Sequence, residues 1–395
     1  MHFMGYRRED GQVGVRNLIG IISTVFCANK VTQEIARQTE GAVSLCHPLG
    51  CGQFGEDMDK TIHTLIACGC HPNFAAVVVV GLGCERASVS EIANAIEERT
   101  HKPVGRVVIQ EEGDSLKAID KGVRIAKSFR EKTCVLQRSV CSLSELTVAV
   151  KCGGSDATSG LAANPAVGAM SDLLIEQGGS IYISEVSELF GAEKIIEAKA
   201  INEEVAEKIR KAFERDEKRI SMARADTTFT SKGKNRRALI STGNMAGGLS
   251  TVAEKALGNW YKAGTKPIQD VLYFASGHEE GAHGLFFMDA QPHDGEVVTG
   301  MVCGGAQITV FTTGRGTPAG LSFAPVLKVT GNSYTYEKMK ENIDMDTSQI
   351  IDGTVSVEEL GAQMLQQIIE IASGKLTKAE LLGHDELFCI TRTFG

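Results

Sequence analysis

The chain has 395 residues, and 41 Lys and Arg against 49 Asp and Glu give it a formal net charge of −8. This mildly acidic balance disfavours nucleic-acid binding, which needs a concentrated basic surface. Hydrophobic residues make up 43% of the chain and charged residues 23%, which is typical of a folded globular protein and excludes long disorder. At roughly 150 residues per domain, the length predicts two or three domains.

Membrane, export and disulfide signals are weak in this sequence. The apolar runs are far shorter than the ~20 residues that span a bilayer, and the charged start MHFMGYRRED has no apolar signal core. The cysteine count of 11 is odd, so a disulfide framework is not expected. We therefore expect a cytoplasmic protein without membrane contact, whose cysteines are core residues, metal ligands or nucleophiles.

The first part of the chain alternates short apolar runs with amphipathic stretches, which is the pattern of β–α–β units. The run at 75–82 is apolar without alternation, as expected of a strand buried on both faces of a parallel sheet. The pattern predicts an α/β fold whose first domain, 1–137, is a Rossmann-like, doubly wound and mostly parallel sheet. The predicted strands are 17–25, 43–46, 75–82 and 104–110, and the predicted helices are 28–38, 58–68, 88–99 and 115–129.

A charged helix end that gives way to a Ser- and Cys-rich stretch at 130–144 predicts a domain boundary. The second, larger α/β domain, 138–395, is expected to carry the catalytic residues. Its predicted strands are 145–150, 180–183, 271–274, 308–313 and 326–330, and its predicted helices are 193–219, 252–260 and 358–371. The basic stretch KGKNRR at 232–237 is interpreted as a surface turn.

Three glycine-flanked cysteines follow predicted strands, and each has a polar neighbour. Ligands of open α/β sheets gather at the carboxyl ends of strands, where glycine lets the backbone approach them closely. Soft thiolates favour iron, zinc or an iron–sulfur cluster, so the cysteines are candidate metal ligands. Two alternatives remain open: a ferrous ion held by His47, Glu85 and Asp156, or cysteines that line buried turns. The cysteines are Cys51, Cys84 and Cys152, and their polar neighbours are Gln53, Glu85 and Ser155.

Further segments have the composition of an anion site. The glycine-rich segment 243–251 precedes the predicted helix 252–260, and free N–H groups at such a junction bind anions. Asn244, Gly247 and Gly248 are therefore predicted to bind a substrate oxyanion or carboxylate. Arg315, in the segment TTGRG, is a candidate for a bidentate contact with a carboxylate. The candidate acids or bases after the strand 180–183 are Glu185 and Glu188.

Taken together, these segments resemble the large catalytic part of the altronate and galactarate dehydratase family. The resemblance spans almost the whole chain and keeps the order of the motifs. It is carried by DGQVGVRN at 10–17, HPLGCG at 47–52, GLGCE at 81–85, CGGSD at 152–156, SGLAANP at 159–165, GNMAGG at 243–248, FTTGRG at 311–316 and ASGKLTK at 372–378.

The resemblance implies iron-dependent β-elimination, in which a proton leaves C2 of a small hydroxy acid, a group leaves C3, and the enol becomes a 2-oxo acid. Iron is expected as Fe²⁺ or as an iron–sulfur cluster, held by the three cysteines. The expected catalytic residues are His47, as the first choice for the base, with Glu85, Glu185 and Arg315. The expected substrate-binding residues are Arg16, Asn17, Gln53, Ser155, Asp156, Asn244, Gly247, Gly248 and Thr313.

Two departures from the family pattern bear on the substrate. Fused members begin with a small β-rich domain that this chain lacks, so we expect a separate small β-rich subunit and an oligomer. That arrangement implies a large subunit that releases sulfite from (2R)-sulfolactate and leaves pyruvate. Met245 stands where the sugar-acid enzymes tend to carry Lys, which also favours a shorter substrate.

Three other functions are alternatives to this one. The first is the large subunit of an altronate- or galactarate-type dehydratase. The second is a non-catalytic ligand-binding relative. A Rossmann-type dehydrogenase is disfavoured, because no G-x-G-x-x-G follows the first predicted strand.

Overall fold

The structure is a computed structural model that describes residues 1–223, 240–291 and 293–392. The predicted basic turn at 232–237 lies outside the described residues. Within the described ranges, no helix combines the length and apolar character needed to cross a bilayer. The strands are β1 His2–Arg7, β2 Val13–Gly14, β3 Leu18–Ser23, β4 Ala42–Leu45, β5 Phe74–Gly81, β6 Val104–Val108, β7 Ser139–Ser142, β8 Thr147–Cys152, β9 Ser180–Ile183, β10 Ile268–Leu272, β11 Gly284–Met288, β12 Ile308–Thr312, β13 Val326–Thr330 and β14 Met345–Asp346.

Six helices lie where the amphipathic stretches predict them, namely α1, α2, α3, α5, α10 and α13, whereas the sequence does not predict α4, α6, α9, α11, α12 and α14. They are α1 Asn29–Arg37, α2 Glu56–Cys70, α3 Val89–Thr100, α4 Ile109–Glu112, α5 Ser115–Thr133, α6 Asn164–Glu176, α7 Glu193–Glu197, α8 Glu203–Ala223, α9 Thr242–Ala246, α10 Val252–Trp260, α11 Asp294–Cys303, α12 Ser333–Lys338, α13 Val357–Ala372 and α14 Lys378–Leu382.

A four-stranded parallel sheet with the order β4–β3–β5–β6 forms the centre of the first domain. Helices α1 and α5 cover one face through residues such as Ile35 and Ala126. Helices α2 and α3 cover the other face through residues such as Leu65 and Ile96. Every residue of β5 is buried, as expected of a central strand covered on both sides. The prediction of a doubly wound parallel sheet is confirmed.

A seven-stranded parallel sheet forms the second domain, with the order β10–β11–β9–β8–β12–β13–β14. Helices α6 and α13 pack against each other over one face, and α11 lies on the other face. Two lysines, Lys151 in β8 and Lys328 in β13, interrupt otherwise apolar strands and are fully buried. The prediction of a second, larger α/β domain is confirmed.

The two sheets share one hydrophobic core between them. Phe74 of the small sheet stacks on Phe323, with ring centroids 5.1 Å apart, and His71 donates through Nε2 to the carbonyl of Ala306 at 3.1 Å. A third, antiparallel sheet joins β1 to β2 and β7. The sequence does not predict this ribbon, because its strands HFMGYR, VG and SVCS contain no continuous apolar run.

One predicted helix is wrong. The sequence predicts a continuous helix over 193–219, whereas the structure has two helices, α7 and α8. Between them the N–H of Ile201 donates to the carbonyl of Ile268 at 3.0 Å, so this segment pairs with β10 instead of continuing the helix. Asn202 then begins α8 by accepting the N–H of Val205 at 2.9 Å. Such a tertiary backbone contact leaves no mark on the charge pattern of the sequence.

Candidate active site

The candidate site lies where the order of the large sheet reverses. After β8 the chain crosses to β9 on one side, whereas β12 and β13 lie on the other side of β8. The loops that follow β8 and β12 therefore lead to opposite sides and open a crevice between them. This crevice, outside the carboxyl ends of the strands, is where open α/β sheets bind their ligands.

Backbone hydrogen bonds join the two loops of the crevice. The N–H of Gly153 donates to the carbonyl of Thr312 at 3.0 Å, and the N–H of Arg315 donates to the carbonyl of Gly154 at 3.0 Å. The glycine-flanked cysteine segment and the TTGRG segment, which are far apart in the sequence, thus form a single structure.

Asp156 fixes the shape of this crevice. One carboxylate oxygen accepts the hydroxyl of Thr158 at 2.6 Å, and the other accepts the amide of Asn332 at 2.8 Å. A side chain at Gly314 would collide with the same carboxylate. Asp156 therefore orders the surrounding loops and has little capacity left for a substrate.

The glycine-rich segment packs against these loops. The amide of Asn244 donates to the carbonyl of Ser155 at 2.8 Å, and the guanidinium of Arg315 donates to the carbonyl of Gly243 at 3.1 Å. The predicted residues that meet at this edge of the sheet are Ser155, Asp156, Asn244, Gly247, Gly248, Thr313 and Arg315.

The start of α10, where the sequence predicts an anion site, is already capped by the chain itself. The hydroxyl of Thr251 accepts the N–H of Glu254 at 3.1 Å. The carboxylate of Glu254 in turn accepts the N–H and the hydroxyl of Ser250 at 2.8 and 2.6 Å. A protein carboxylate thus occupies the helix end that was expected to receive a substrate anion.

A cluster of charged side chains lies buried beneath the crevice. Glu185 is fully buried, and its two oxygens pair with different ammonium groups, those of Lys151 and, at 2.6 Å, Lys262. Lys151 also pairs with Asp294 at 2.9 Å, and Lys262 donates to the side chain of Asn259. Lys151, Lys262 and Glu185 are fully buried, whereas the side chain of Asp294 is 45% exposed. Pairing with opposite charges is the condition for burying charge.

Burial and ion pairing act in opposite directions on the pKa values in this cluster. Burial alone would raise the pKa of Glu185, but Lys151 and Lys262 hold it below its usual value. Burial would lower the pKa of Lys151, but Glu185 and the neighbouring carboxylates hold it well above its usual value. The pKa of Glu188 is raised, because burial and the charge of Glu185 outweigh the nearby lysines. Of the two glutamates, Glu188 is therefore the one suited to exchange a proton.

Glu185 also has a strained backbone. Its φ is +81°, in the left-handed region that residues other than glycine rarely adopt. Such a conformation costs about 1–3 kcal/mol and persists only where the surroundings impose it. The combination of strain with a buried ion-pair network is characteristic of a functional site.

Cys152 lies beside this cluster and belongs to a group with the chemistry of metal ligands. The ligand atoms of Cys152, Glu185 and Glu188 lie within 4.8 Å of one another. However, both oxygens of Glu185 pair with lysines, and the ammonium of Lys262 lies 3.6 Å from the sulfur of Cys152. Burial raises the pKa of the Cys152 thiol to about 11. A metal ion does not fit here, because ammonium groups hold the positions that a cation would need and the thiol keeps its proton.

A second group with metal-ligand chemistry lies near the start of α11. The side chains of His293, Glu296 and Cys389 offer ligand atoms within 4.8 Å of one another. His293 is exposed and the other two are partly buried. The described residues therefore contain two such groups.

Two adjoining cavities open beside the buried cluster. Glu188 and Lys255 form an ion pair at 3.3 Å in the smaller one. The larger cavity, of about 470 Å³, shares Ser155 and Lys255 and has apolar walls at Leu161 and Leu257. The smaller cavity, of about 270 Å³, is lined by Gly153, Gly154, Ser155, Glu188, Ser241, Asn244, Lys255 and Asp294. Its charged and amide side chains are one cation, Lys255, the amide of Asn244, and two carboxylates, Glu188 and Asp294.

His47, the predicted base, lies at the carboxyl end of the small sheet. Its Nε2 donates to the carbonyl of Ser23 at 2.9 Å, and its Nδ1 accepts the N–H of Leu49 at 3.2 Å. Burial lowers its pKa to about 4. Both ring nitrogens are thus engaged, and His47 orders its loop instead of presenting a free nitrogen.

Glu85 is occupied in a similar way. Its carboxylate accepts the hydroxyl of Thr24 at 2.8 Å and the N–H groups of Leu82 and Gly83 at 3.0 and 2.6 Å. The alternative iron site made of His47, Glu85 and Asp156 is not among the ligand groups that the described residues form.

Gln53 holds the loop after β4. Its carbonyl oxygen accepts the N–H of Gly50 at 3.0 Å and the hydroxyl of Thr61 at 3.1 Å, and its amide donates to the carbonyl of Asp57 at 3.2 Å. Its side-chain atoms therefore bind the protein itself.

The three predicted metal-binding cysteines lie in different environments. Cys51 and Cys84 are exposed on loops of the small sheet, whereas Cys152 is buried in the large one. Among the described residues, they do not form a group within 4.8 Å. The structure does not bring these three together around a single ion.

Arg16 and Asn17 lie at the amino end of β3, away from both sets of strand-end loops. Arg16 binds the carboxylate of Glu380 at 2.6 and 2.9 Å and the carbonyl of Ile371 at 2.9 Å. Asn17 accepts from Arg8 at 2.8 Å. The sequence predicts that Arg16 binds the substrate. In the structure, Arg16 instead joins the first domain to the C-terminal part of the chain.

The sequence analysis missed the two lysines that neutralise Glu185. Lysine is almost never fully buried unless it is paired, so Lys151 within the apolar run TVAVKC was a recognisable signal. Lys262 had no such signal, since it follows the amphipathic helix α10 and looks like an ordinary exposed residue.

Family models match the chain in two parts. Residues 5–134 match the second domain of D-galactarate dehydratase/altronate hydrolase, and residues 143–394 match the C-terminal domain of D-galactarate/altronate dehydratase. The chain therefore belongs to the galactarate and altronate dehydratase family, and the resemblance seen in its motifs is confirmed.

Curated relatives cover most of the chain. It is 37% identical to the (2R)-sulfolactate sulfo-lyase subunit beta of Chromohalobacter salexigens, over 99% of this chain and 97% of the relative. It is 37% identical to altronate dehydratase of Bacillus subtilis, over 98% of this chain and 76% of the relative. It is 33% identical to galactarate dehydratase (L-threo-forming) of Escherichia coli, over 94% and 73%. The predicted enzyme class, a lyase, is confirmed.

Proposed function

We propose that this chain is the large subunit of a lyase that eliminates sulfite from (2R)-sulfolactate and yields pyruvate. The observation that carries the proposal is the polar cavity in which Glu188 and Lys255 lie beside the buried Glu185 network. Support for this substrate comes from the 37% identity to a sulfo-lyase beta subunit over 97% of that protein.

The reaction requires one proton transfer and one bond cleavage. A base takes the proton from C2, and the electron pair of that bond becomes the C2–C3 double bond. The C3–S bond breaks, and its electrons leave with sulfite. The resulting enol gains a proton at C3, loses the proton of its C2 hydroxyl and becomes pyruvate. Because carboxylate and sulfonate are both negative, the site must supply positive charge and hydrogen-bond donors.

The residues of the cavity match these tasks. Glu188, whose pKa is raised, is the proton acceptor in this proposal, and its ion pair with Lys255 fixes its position. In the cavity, Lys255 supplies positive charge and Asn244 an amide donor for the carboxylate and the sulfonate. Arg315 lies outside the cavity lining, beside Gly243, and adds a second positive charge in this proposal. Lys151 and Lys262 hold Glu185 and thereby the floor of the cavity.

The size of the cavity favours a short substrate. Its volume of about 270 Å³ is below the roughly 300–1,000 Å³ typical of pockets for drug-sized ligands.

The proposal includes a metal, a partner and a location. Iron would act as a Lewis acid on the carboxylate and hydroxyl of the substrate. A separate small β-rich subunit is proposed because the sulfo-lyase relative is itself named as a beta subunit, and we expect an oligomer. We place the enzyme in the cytoplasm, in line with its 11 unpaired cysteines.

The test is an anaerobic assay of the iron-loaded chain together with its small subunit. We expect sulfite and pyruvate in equal amounts from (2R)-sulfolactate, and no 2-oxo acid from altronate or galactarate. A 2-oxo acid from either sugar acid, without sulfite from sulfolactate, would make the chain a dehydratase subunit. Absence of turnover with all three substrates, in protein that holds iron and binds its partner, would overturn the catalytic role altogether.

A further inference from the structure

Three exposed thiols lie at the carboxyl end of the small sheet, outside the site described above. Cys27 follows β3, Cys51 follows β4 and Cys84 follows β5, and all three are exposed. Strands β4, β3 and β5 are parallel neighbours, so their loops leave the same edge side by side. Since free cysteine is among the most buried residue types, three exposed thiols on adjacent loops are unusual.

The three loops converge on Thr24. The hydroxyl of Thr24 donates to Glu85 at 2.8 Å, and a side chain at Gly50 would collide with the carbonyl of Thr24. The N–H of Phe26 donates to the carbonyl of Leu49 at 2.9 Å. Phe26, Gly50 and Glu85 are the immediate chain neighbours of the three cysteines, so these contacts bring the thiol-bearing segments together.

The loops are also held rigidly and have an apolar rim. Gly50 and Gly83 have φ values of +94° and +121°, which only glycine adopts readily. The guanidinium of Arg86 lies 5.0 Å from the ring centroid of Phe54 and links two of the loops. Phe26 and Phe54 are 62% and 70% exposed. Apolar groups around a metal group limit solvent access and tune its chemistry.

The three thiols are not arranged as the ligands of a single ion. The described residues that bring three ligand atoms within 4.8 Å of one another do not include these cysteines. A single zinc or iron ion needs its ligands that close, whereas the thiolates of an iron–sulfur cluster bind different iron atoms and stand further apart. We propose that Cys27, Cys51 and Cys84 bind an iron–sulfur cluster, in which Cys27 takes the place that the sequence analysis gave to Cys152.

The number of cysteine ligands determines whether an iron atom of the cluster is free to bind another molecule. A four-iron cluster usually has four cysteine ligands, so three leave one iron open to another molecule. Helix α2 begins at Glu56, directly after the Cys51 loop, and packs against α11, whose Asp294 pairs with Lys151. The cluster would thus be linked to the proposed catalytic site through α2 and α11. That link rests on the proposed function, whereas the existence of the cluster does not.

The experiment measures iron, acid-labile sulfide and visible absorption in the full chain, purified and reconstituted without oxygen. We expect iron and sulfide in similar amounts, with almost complete loss of both in Cys27→Ser, Cys51→Ser and Cys84→Ser. The matched controls are Cys134→Ser, another exposed thiol, and Cys152→Ser, and both should keep the cluster. Circular dichroism checks that each variant is folded.

Alkylation provides a second readout that does not depend on variants. In the reconstituted protein, Cys27, Cys51 and Cys84 should react with a maleimide many times more slowly than in the metal-free protein, whereas Cys134 should react equally in both. Iron without sulfide, equal alkylation in both forms, or a cluster that survives Cys27→Ser and disappears in Cys152→Ser would each overturn the proposal.

The two proposals fail in different ways. A chain that holds the cluster but turns over none of the three acids refutes the proposed function and leaves the cluster intact. A chain that releases sulfite at full rate after all three cysteines have been changed to serine refutes the cluster and leaves the function intact.

Discussion

Glu185 shows how single charged residues define this site. Its carboxylate is removed from water and neutralised by Lys151 and Lys262 on opposite oxygens. A buried ion pair adds little net stability over an apolar pair, but removal of one partner leaves an uncompensated charge. Removal of any one charged residue of this network should therefore lower the free energy of unfolding strongly. That loss can be measured and tests whether the network is formed.

Replacing Lys262 with Met should destabilise the protein strongly. Lys262→Met leaves one oxygen of Glu185 without its cation in a dry environment, which costs about 3–5 kcal/mol. The matched control is Lys266→Met, because Lys266 pairs with Glu176 at 2.7 Å on the surface, where a pair contributes about 1 kcal/mol or less. Urea unfolding measures both. Equal losses in the two variants would contradict the buried network.

Glu188 should be required for the chemical step and not for binding. We expect Glu188→Gln to lower kcat by about 10²- to 10⁴-fold, the usual contribution of a general base, with a much smaller change in KM. Because the base must be ionised, the wild-type kcat should fall as the pH drops through the raised pKa of Glu188, and the variant should lack this limb. Glu176→Gln, on the surface, is the control. A variant that keeps the acid limb would remove Glu188 from the proton transfer.

At the scale of elements, strands and helices were predictable where their pattern is local. Strand β13 is uniformly buried, and its bounds, 326–330, were predicted correctly from an apolar run. The break between α7 and α8 was not, because it arises when Ile201 pairs with Ile268, far away in the sequence. The crevice combines both cases, since its glycine-rich loops were visible in the sequence and their mutual contacts were not.

Two glycines of one segment should respond differently to alanine. At Gly247 a Cβ would lie 2.7 Å from the Cβ of Asp156, whereas at Gly243 the nearest atom would be 3.5 Å away. Gly247→Ala should therefore cost about 1–3 kcal/mol through overpacking and displace Asp156. Gly243→Ala, inside α9, should be neutral or gain about 0.5–1 kcal/mol, because alanine favours a helix. Thermal unfolding compares them, and similar losses would argue against the packing of this segment on the crevice.

The whole molecule is held together by buried polar contacts between its two sheets. His71 donates to Ala306 at 3.1 Å. Asn73 donates to Phe323 at 2.9 Å, while its own oxygen accepts the N–H of Val15 at 2.8 Å. Because these groups are buried on both sides of the interface, they require the two domains to keep one arrangement. Because one of these contacts is made by a histidine, His71, the stability of this arrangement should depend on pH.

Acid should weaken the fold through His71. Burial lowers its pKa to about 3, so the unfolded chain, with a histidine pKa near 6.5, binds the proton first. The contribution is fully present above about pH 6.5 and declines by about 1.4 kcal/mol per pH unit down to about pH 3. His71→Asn should show a shallower decline between pH 6 and pH 4 in urea unfolding. The exposed His101→Asn should follow the wild type, and identical slopes in all three would contradict this account.

The sequence by itself determined the fold class, the family and half of the crevice. Buried parallel strands need continuous apolar runs and tight loops need glycine, so both features appear as local patterns. Only the tertiary structure decided which polar residues meet. It joined Lys151 and Lys262 on Glu185, gave His47 and Arg16 structural partners, and placed the loops that carry Cys27, Cys51 and Cys84 at one edge of the small sheet. These contacts depend on the order of the strands and on the crossover connections. Together they bring residues that are far apart in the sequence to one edge of a sheet.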